Sequence, residues 1–177
     1  LGPELPEEYG GIGVDCITSG LLLEQIAYGD FNVSYMQLLS SLMGAIIHAN
    51  ASPDLARTWN SRIVAGEAIV ALGLTEPRGG SDAANLQLKA RRVGDEYVLS
   101  GEKTSITFAD QADAIVLFAR TGKPEDGARG ISAFIVDANT PGLEIAERID
   151  VIAPHPLAKL HFNNVLVPHA KRIGAAG

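Results

Sequence analysis

The sequence is poor in cysteine, and its one thiol, Cys16, excludes an internal disulfide framework and any multi-cysteine metal cluster. A reducing compartment is the simpler setting, and Cys16 itself is expected to be a small buried hydrophobe. Basic residues are also scarce. The 14 Lys and Arg against 21 Asp and Glu give a net charge of -7, which argues against a surface built to track a polyanion, so no nucleic-acid partner is expected. No apolar run approaches the length that spans a bilayer, and the acidic opening Leu1-Gly2-Pro3-Glu4-Leu5-Pro6-Glu7-Glu8 lacks the basic-then-apolar pattern of a signal peptide. That opening has no Met, so the chain is expected to begin in mid-sequence. His48, His155, His161 and His169 make no i, i+4 pair with a Glu between them, and no metal site is expected.

What is present is a 177-residue chain that is 46% hydrophobic, enough to bury a sizeable core. From Cys16 to Gly66 the apolar residues Leu21, Ile26, Leu38, Leu42, Ile46, Leu55, Trp59 and Ile63 recur in clusters at helical spacing. Pro53-Asp54, after the small polar break Asn50-Ala51-Ser52, predicts a helix start. After Gly66 the texture changes to short apolar runs, such as Ala68–Leu72, Tyr97–Leu99, Ala114–Phe118 and Ile131–Val136, punctuated by Gly, Pro and Asp. Leu86–Arg91 alternates with period two, and Gly94-Asp95 before Tyr97 predicts a hairpin, so an antiparallel sheet is favoured. The expected fold is α+β: a helical part over residues 1–66, a β-barrel or sandwich over 67–170, and the start of a linker at 171–177.

The most unusual local stretch is Leu72-Gly73-Leu74-Thr75-Glu76-Pro77-Arg78-Gly79-Gly80-Ser81-Asp82, where a strand-like run ends in a Pro- and Gly-rich loop. By itself it is either a ligand loop that brings backbone amides close to its target or a plain tight turn capped by Ser81 or Asp82. Gly101-Glu102-Lys103-Thr104 has a Glu where a phosphate loop needs its Gly-Lys pair, and Gly11–Cys16 lacks the third glycine of a dinucleotide fingerprint. Both are read as turns. No nucleophile elbow Gly-x-Ser-x-Gly occurs to support a Ser-His-Asp hydrolase.

Leu74–Asp82 resembles the Thr-Glu-Pro-x-x-Gly-Ser-Asp signature of the acyl-CoA dehydrogenase family. Leu5–Gly13, Glu24–Asp30, Gly101–Thr107, Phe134–Val136 with Thr140–Gly142, and Leu160–Pro168 resemble further segments of that family in the same order. The resemblance implies a helical N-terminal domain, a middle β-domain and a C-terminal four-helix domain, of which this chain holds the late part of the first and most of the second. It implies FAD as cofactor and dehydrogenation of an acyl-CoA thioester to a trans-2-enoyl-CoA. It further implies electron-transfer flavoprotein as acceptor, a homo-oligomer (dimer or tetramer), and a cytoplasmic or mitochondrial-matrix location.

By the same resemblance Leu72, Leu74 and Thr75 line the pyrimidine side of the flavin. Gly80 and Ser81 match the turn near the flavin and the pantetheine arm of coenzyme A, so Ser81 is assigned to substrate as well as cofactor. Ser105 and Thr107 match a Trp-Ile-Thr segment, with Thr107 toward the reactive N5 and Ser105 in place of the usual Trp. A serine supplies far less apolar contact than an indole, which buries on the order of 200 Å², so this wall is expected to be more open, with Phe108 a candidate to fill it. Glu76 matches a structural position of the family, its catalytic base lies in the C-terminal domain, and no base is assigned in this chain. An oxidase or flavin monooxygenase on the same scaffold, or a non-catalytic flavin- or acyl-CoA-binding module, is the alternative reading.

Overall fold

The computed structural model describes residues 1–153 and 155–177. The chain divides into two units, Leu1–Val70 and Ala71–Gly177.

The first unit is helical: α1 spans Cys16–Gly29, α2 Phe31–Asn50 and α3 Pro53–Ala65. Each start follows from a short polar side chain that accepts the free amides of the first turn. Asp15 accepts from the Thr18 N–H at 2.8 Å, and Asp30 accepts from Asn32 N–H at 2.8 Å and Val33 N–H at 3.4 Å. Asp30 also closes α1, its own N–H bonded to the Ile26 carbonyl, so one residue ends a helix and begins the next. Ser52 caps α3 ahead of the predicted Pro53 start, and Gly66, at φ 75°, ends it in the left-handed conformation that glycine adopts at little cost. Leu5, Met43, Ile47, Ala56, Trp59 and Ile63 form the interior. Gly44 is required there, since a Cβ would lie 2.4 Å from Leu5 Cδ1.

The apolar clusters of α1 do not all point inward. Ile17, Leu21, Leu22 and Ile26 are exposed, and the one buried residue of α1 is Ser19. Cys16 is exposed as well, against the expectation of burial, because it occupies the first turn of α1.

The second unit is one eight-stranded sheet: β1 Val70–Gly73, β2 Lys89–Val93, β3 Glu96–Thr107, β4 Ala114–Arg120, β5 Ile131–Asp137, β6 Leu143–Ile149, β7 Leu157–Pro168 and β8 Arg172–Ile173. The expected α+β class holds, but closure into a barrel does not. The hydrogen-bonded order is β6-β7-β3-β2-β4-β5-β8, with β1 joined to β4, and the ends are not paired. The predicted hairpin is present, with Val93 opposite Glu96 across Gly94-Asp95 and Gly94 at φ 60°. From β2 to β8 the pairing is antiparallel apart from one parallel register point, Lys89 with Arg120. Beyond Pro168, where a linker is expected from residue 171, β8 pairs with β5 and the Gly177 N–H bonds to Ser132 Oγ at 2.9 Å. Tyr97, Leu99, Ile115, Leu117, Phe134, Leu160 and Val165 fill a continuous core.

β3 positions the site. Tyr97, Leu99 and Lys103 occupy inward positions of its alternation. Between Lys103, opposite Leu160, and Ile106, opposite Ala158, β3 carries one more residue than β7. This β-bulge reverses the inward phase, so that Ile106 and Phe108 are buried while Ser105 is exposed at φ 56°.

Candidate functional site

Three segments meet at the end of β1. The first is the loop Leu74–Gly79, which doubles back as a Glu76-Pro77-Arg78-Gly79 turn with Glu76 N–H bonded to Gly79 C=O at 3.2 Å and the reverse bond at 3.0 Å. Proline at the second place of that turn supplies its preferred φ. The second is β3 at Lys103–Thr107, and the third is Gln87–Leu88 at the approach to β2.

Two kinds of bond tie the loop to β3. Thr104 N–H donates to the Thr75 carbonyl at 3.0 Å. Lys103, with no exposed side-chain surface, donates from Nζ to the Leu74 carbonyl at 2.9 Å and to Glu76 Oε1 at 2.8 Å. Glu76 in turn accepts from the Leu88 N–H through Oε1 at 3.0 Å and from the Gln87 N–H through Oε2 at 2.6 Å. Burial pushes the Glu76 carboxyl upward, but the Lys103 ammonium and the two amides outweigh it and hold the group below the ordinary carboxylate value.

The sequence-assigned residues take their places around this junction. Leu72 is half-buried in β1, and Leu74 and Thr75 are half-buried in the loop. Gly80 lies against Thr75, a Cβ there falling 3.5 Å from Thr75 Cγ2 and 3.7 Å from its Oγ1. Ser81 is exposed beside it. Ser105, exposed on the bulge, follows the Thr104 amide that holds Thr75, and Thr107 is half-buried opposite Leu157. The structure thus draws Leu74, Thr75 and Gly80 together directly and puts Ser105 and Thr107 on the strand that holds them. Among the described residues no hydrogen bond joins Ser81 to β3. Phe108 does not share the face of Ser105: it sits on the inward phase and is 8% exposed. Gly101-Glu102-Lys103-Thr104 is mid-strand in β3, not a turn.

Lys103 is the residue that sequence reasoning passed over. Its signal was available: with Tyr97 and Leu99 it keeps the odd-numbered inward phase of β3, and a lysine on an inward phase requires a buried anion, for which the Glu of the signature loop was the candidate.

The donor set suits a flat, polar-edged ring. Of the signature loop's two carboxylates, Glu76 is turned inward and its charge met, while Asp82 is exposed and accepts from Asn85 Nδ2 at 2.6 Å; Thr75, Ser81, Ser105 and Thr107 supply hydroxyls that are at least partly open to a ligand. Among the described residues no cluster of three or more His, Cys, Asp or Glu side chains could hold a metal ion, and no helix is long and apolar enough to cross a membrane.

Residues 71–165 match the model of the acyl-CoA dehydrogenase middle domain, and residues 1–67 match that of the acyl-CoA dehydrogenase N-terminal domain. The chain belongs to the acyl-CoA dehydrogenase family. It is 38% identical to a probable acyl-CoA dehydrogenase of Bacillus subtilis, YngJ, over 98% of this chain and 47% of that protein. A crystal structure of a probable acyl-CoA dehydrogenase from Mycobacterium abscessus superimposes with a TM-score of 0.91 at 38% identity, over 99% of this chain and 47% of that one. A glutaryl-CoA dehydrogenase from Mycobacterium smegmatis, solved in complex with FADH2, gives 0.90 at 28% identity over 100% of this chain and 45% of that one. The chain therefore spans about half the length of the relatives it matches. The family is FAD-dependent, and its members are oxidoreductases.

Proposed function

We propose that this chain supplies the flavin-facing wall of an enzyme that dehydrogenates an acyl-CoA thioester to a trans-2-enoyl-CoA. The observation that carries this reading is the bond from Thr104 N–H to the Thr75 carbonyl, which lays the signature loop beside the bulge of β3. Leu72, Leu74 and Thr75 then meet the pyrimidine edge of the cofactor, Gly80 leaves room for close approach, and Thr107 faces its reactive centre. Ser105 lies on the dimethylbenzene side. The Ser81 hydroxyl serves cofactor and pantetheine arm. FAD, when bound, accepts the hydride that leaves the β-carbon of the substrate.

Glu76 does not serve as the base that removes the α-proton. Both its oxygens already accept hydrogen bonds, and a carboxyl held below its ordinary value is a weak base. The base belongs to a carboxylate outside these residues, and the 177-residue chain alone is inert. Electron-transfer flavoprotein takes the electrons, and the assembled enzyme is a homo-oligomer, dimer or tetramer, of the cytoplasm or mitochondrial matrix.

The exposed Ser105 favours a second reading, an oxidase or monooxygenase on this scaffold, since an uncovered flavin wall admits oxygen. Anaerobic titration of the longest reading frame containing these residues with a panel of acyl-CoA thioesters separates the two. Flavin bleaching with formation of an enoyl-CoA, followed by slow reaction with oxygen, supports the dehydrogenase. Rapid oxygen consumption by the reduced protein supports the oxidase, and flavin that no thioester reduces excludes both acyl-CoA reactions.

A further inference from the structure

We propose that Lys103 is a positioning residue for the cofactor: it grips the Leu74 carbonyl and, through that peptide unit, strengthens the Thr75 N–H as a donor to the flavin. This rests on the reading above that FAD lies along Leu72–Thr75.

Among the described residues Lys103 is the one charged residue with no exposed surface. Stability alone does not account for it, because a buried ion pair is frequently no more stabilising than apolar side chains of the same volume. Its geometry suggests a further task. Of the three protons on Nζ, one goes to Glu76, which meets the charge, and another goes to the Leu74 carbonyl at 2.9 Å.

A trans peptide is planar, with the carbonyl of one residue and the N–H of the next on opposite sides. A cation on the Leu74 carbonyl therefore lies across the peptide from the Thr75 N–H. It draws electron density toward the oxygen and makes that N–H a stronger donor, as hydrogen bonds in series polarise one another. Burial keeps the effect from being screened.

The ammonium is itself held in place. Glu76 accepts from it and from the Gln87 and Leu88 amides, so three segments fix its position. Thr104 N–H fixes the next carbonyl, that of Thr75, so two successive peptide units, one on each side of the Thr75 Cα, are held through their carbonyls by adjacent residues of β3. Flavin gains negative charge on its pyrimidine side when reduced, so a strengthened donor there favours the reduced form and raises the midpoint potential.

The test compares three proteins in the longest reading frame containing this chain: the parent, Lys103→Met, and Glu76→Gln/Lys103→Met. FAD affinity, midpoint potential and urea midpoint are measured for each. Lys103→Met is expected to lose stability, because Glu76 is left as an unpaired buried charge. The double variant holds no such charge and recovers much of that stability. Its potential is expected to stay low: reduced flavin binds at least tenfold less tightly relative to oxidised flavin, a fall of about 30 mV for a two-electron couple. A double variant whose potential returns to the parent value together with its stability would overturn the proposal, reducing Lys103 to a structural pin. Equal potentials in all three flavin-loaded proteins would overturn it as well, while leaving the site assignment standing. A parent protein that binds no FAD sinks the site assignment and this inference with it.

Discussion

The helical unit and the sheet unit treat their apolar residues in opposite ways. In the sheet, Tyr97, Leu99, Leu117, Phe134, Leu160 and Val165 pack into one core, and the exposed large apolar side chains are Val93, Ile145, Val151, Ile152 and Leu166. In the shorter helical unit Ile12, Ile17, Leu21, Tyr28, Phe31, Val33, Leu38 and Leu42 are all exposed, while Ser19, Ser34, Gln37, Ser40 and Ser41 are buried. A strand alternates with period two, so one inward phase settles which side chains are covered. The helices are apolar over much of their circumference, and which stripe is covered depends on what packs against them. The sheet unit is thus nearer to self-sufficient than the helical one.

Separating the units is the strongest way to break this comparison. Residues 71–177 expressed alone are expected to melt in a single cooperative transition, whereas residues 1–70 alone are expected to self-associate and bind a hydrophobic dye. Circular dichroism and sedimentation decide it, and a monomeric, cooperatively folded helical piece would reverse the ranking. Within the sheet core, Phe134→Ala should cost about 3–5 kcal/mol by urea denaturation of the whole chain, since the ring has no exposed surface. Gly44→Ala sharpens the contrast from the helical side. The new methyl meets Leu5 at 2.4 Å and should cost about 1–3 kcal/mol, showing that the helical unit has one tightly packed seam despite its exposed faces. Ile17→Ser on the open face of α1 is expected to change stability by no more than about 0.5 kcal/mol, and a large loss would mean that this face is covered.

Acid separates the units in a different way, through the Glu76 carboxylate of the sheet. Its folded-state value lies below the ordinary 4.5, so the unfolded chain binds the proton first as the pH falls. The stability it contributes is complete above 4.5 and is lost as the pH drops through the lowered folded value. The difference in urea midpoint between the parent and Glu76→Gln should therefore be largest at neutral pH and shrink in acid. A difference that is flat with pH would mean that Glu76 does not titrate with folding.

Much of this arrangement was legible in the residues because it is local. The polar break Asn50-Ala51-Ser52 ahead of Pro53 at a helix start, and Gly94-Asp95 between alternating segments, each act on neighbours a few positions away. The signature loop was legible for the same reason, as a contiguous string. What escaped was set by pairing at a distance. Lys103 becomes a buried partner of Glu76 only when β3 lies beside the loop, 27 positions earlier. Ser105 becomes the extra residue of a bulge only when β7 supplies the count against which it is extra. The outward turn of Ile17 likewise depends on the helix surroundings and not on the helix's own pattern.

The bulge in β3 works like a frame marker in a coded message. Before it the odd-numbered side chains of the strand are interior, and after it the even-numbered ones are. Deleting one residue between Lys103 and Ile106 would cancel the extra residue and leave Ile106 inside, opposite Ala158, whereas drawing the strand straight with every residue kept would put Ile106 and Phe108 on the outside and Thr107 in the core. The extra residue is therefore the one that this strand could lose without turning its core side chains outward. Among proteins that share this site, one that is a residue shorter here should lose the exposed turn at Ser105 and keep the same side chains buried.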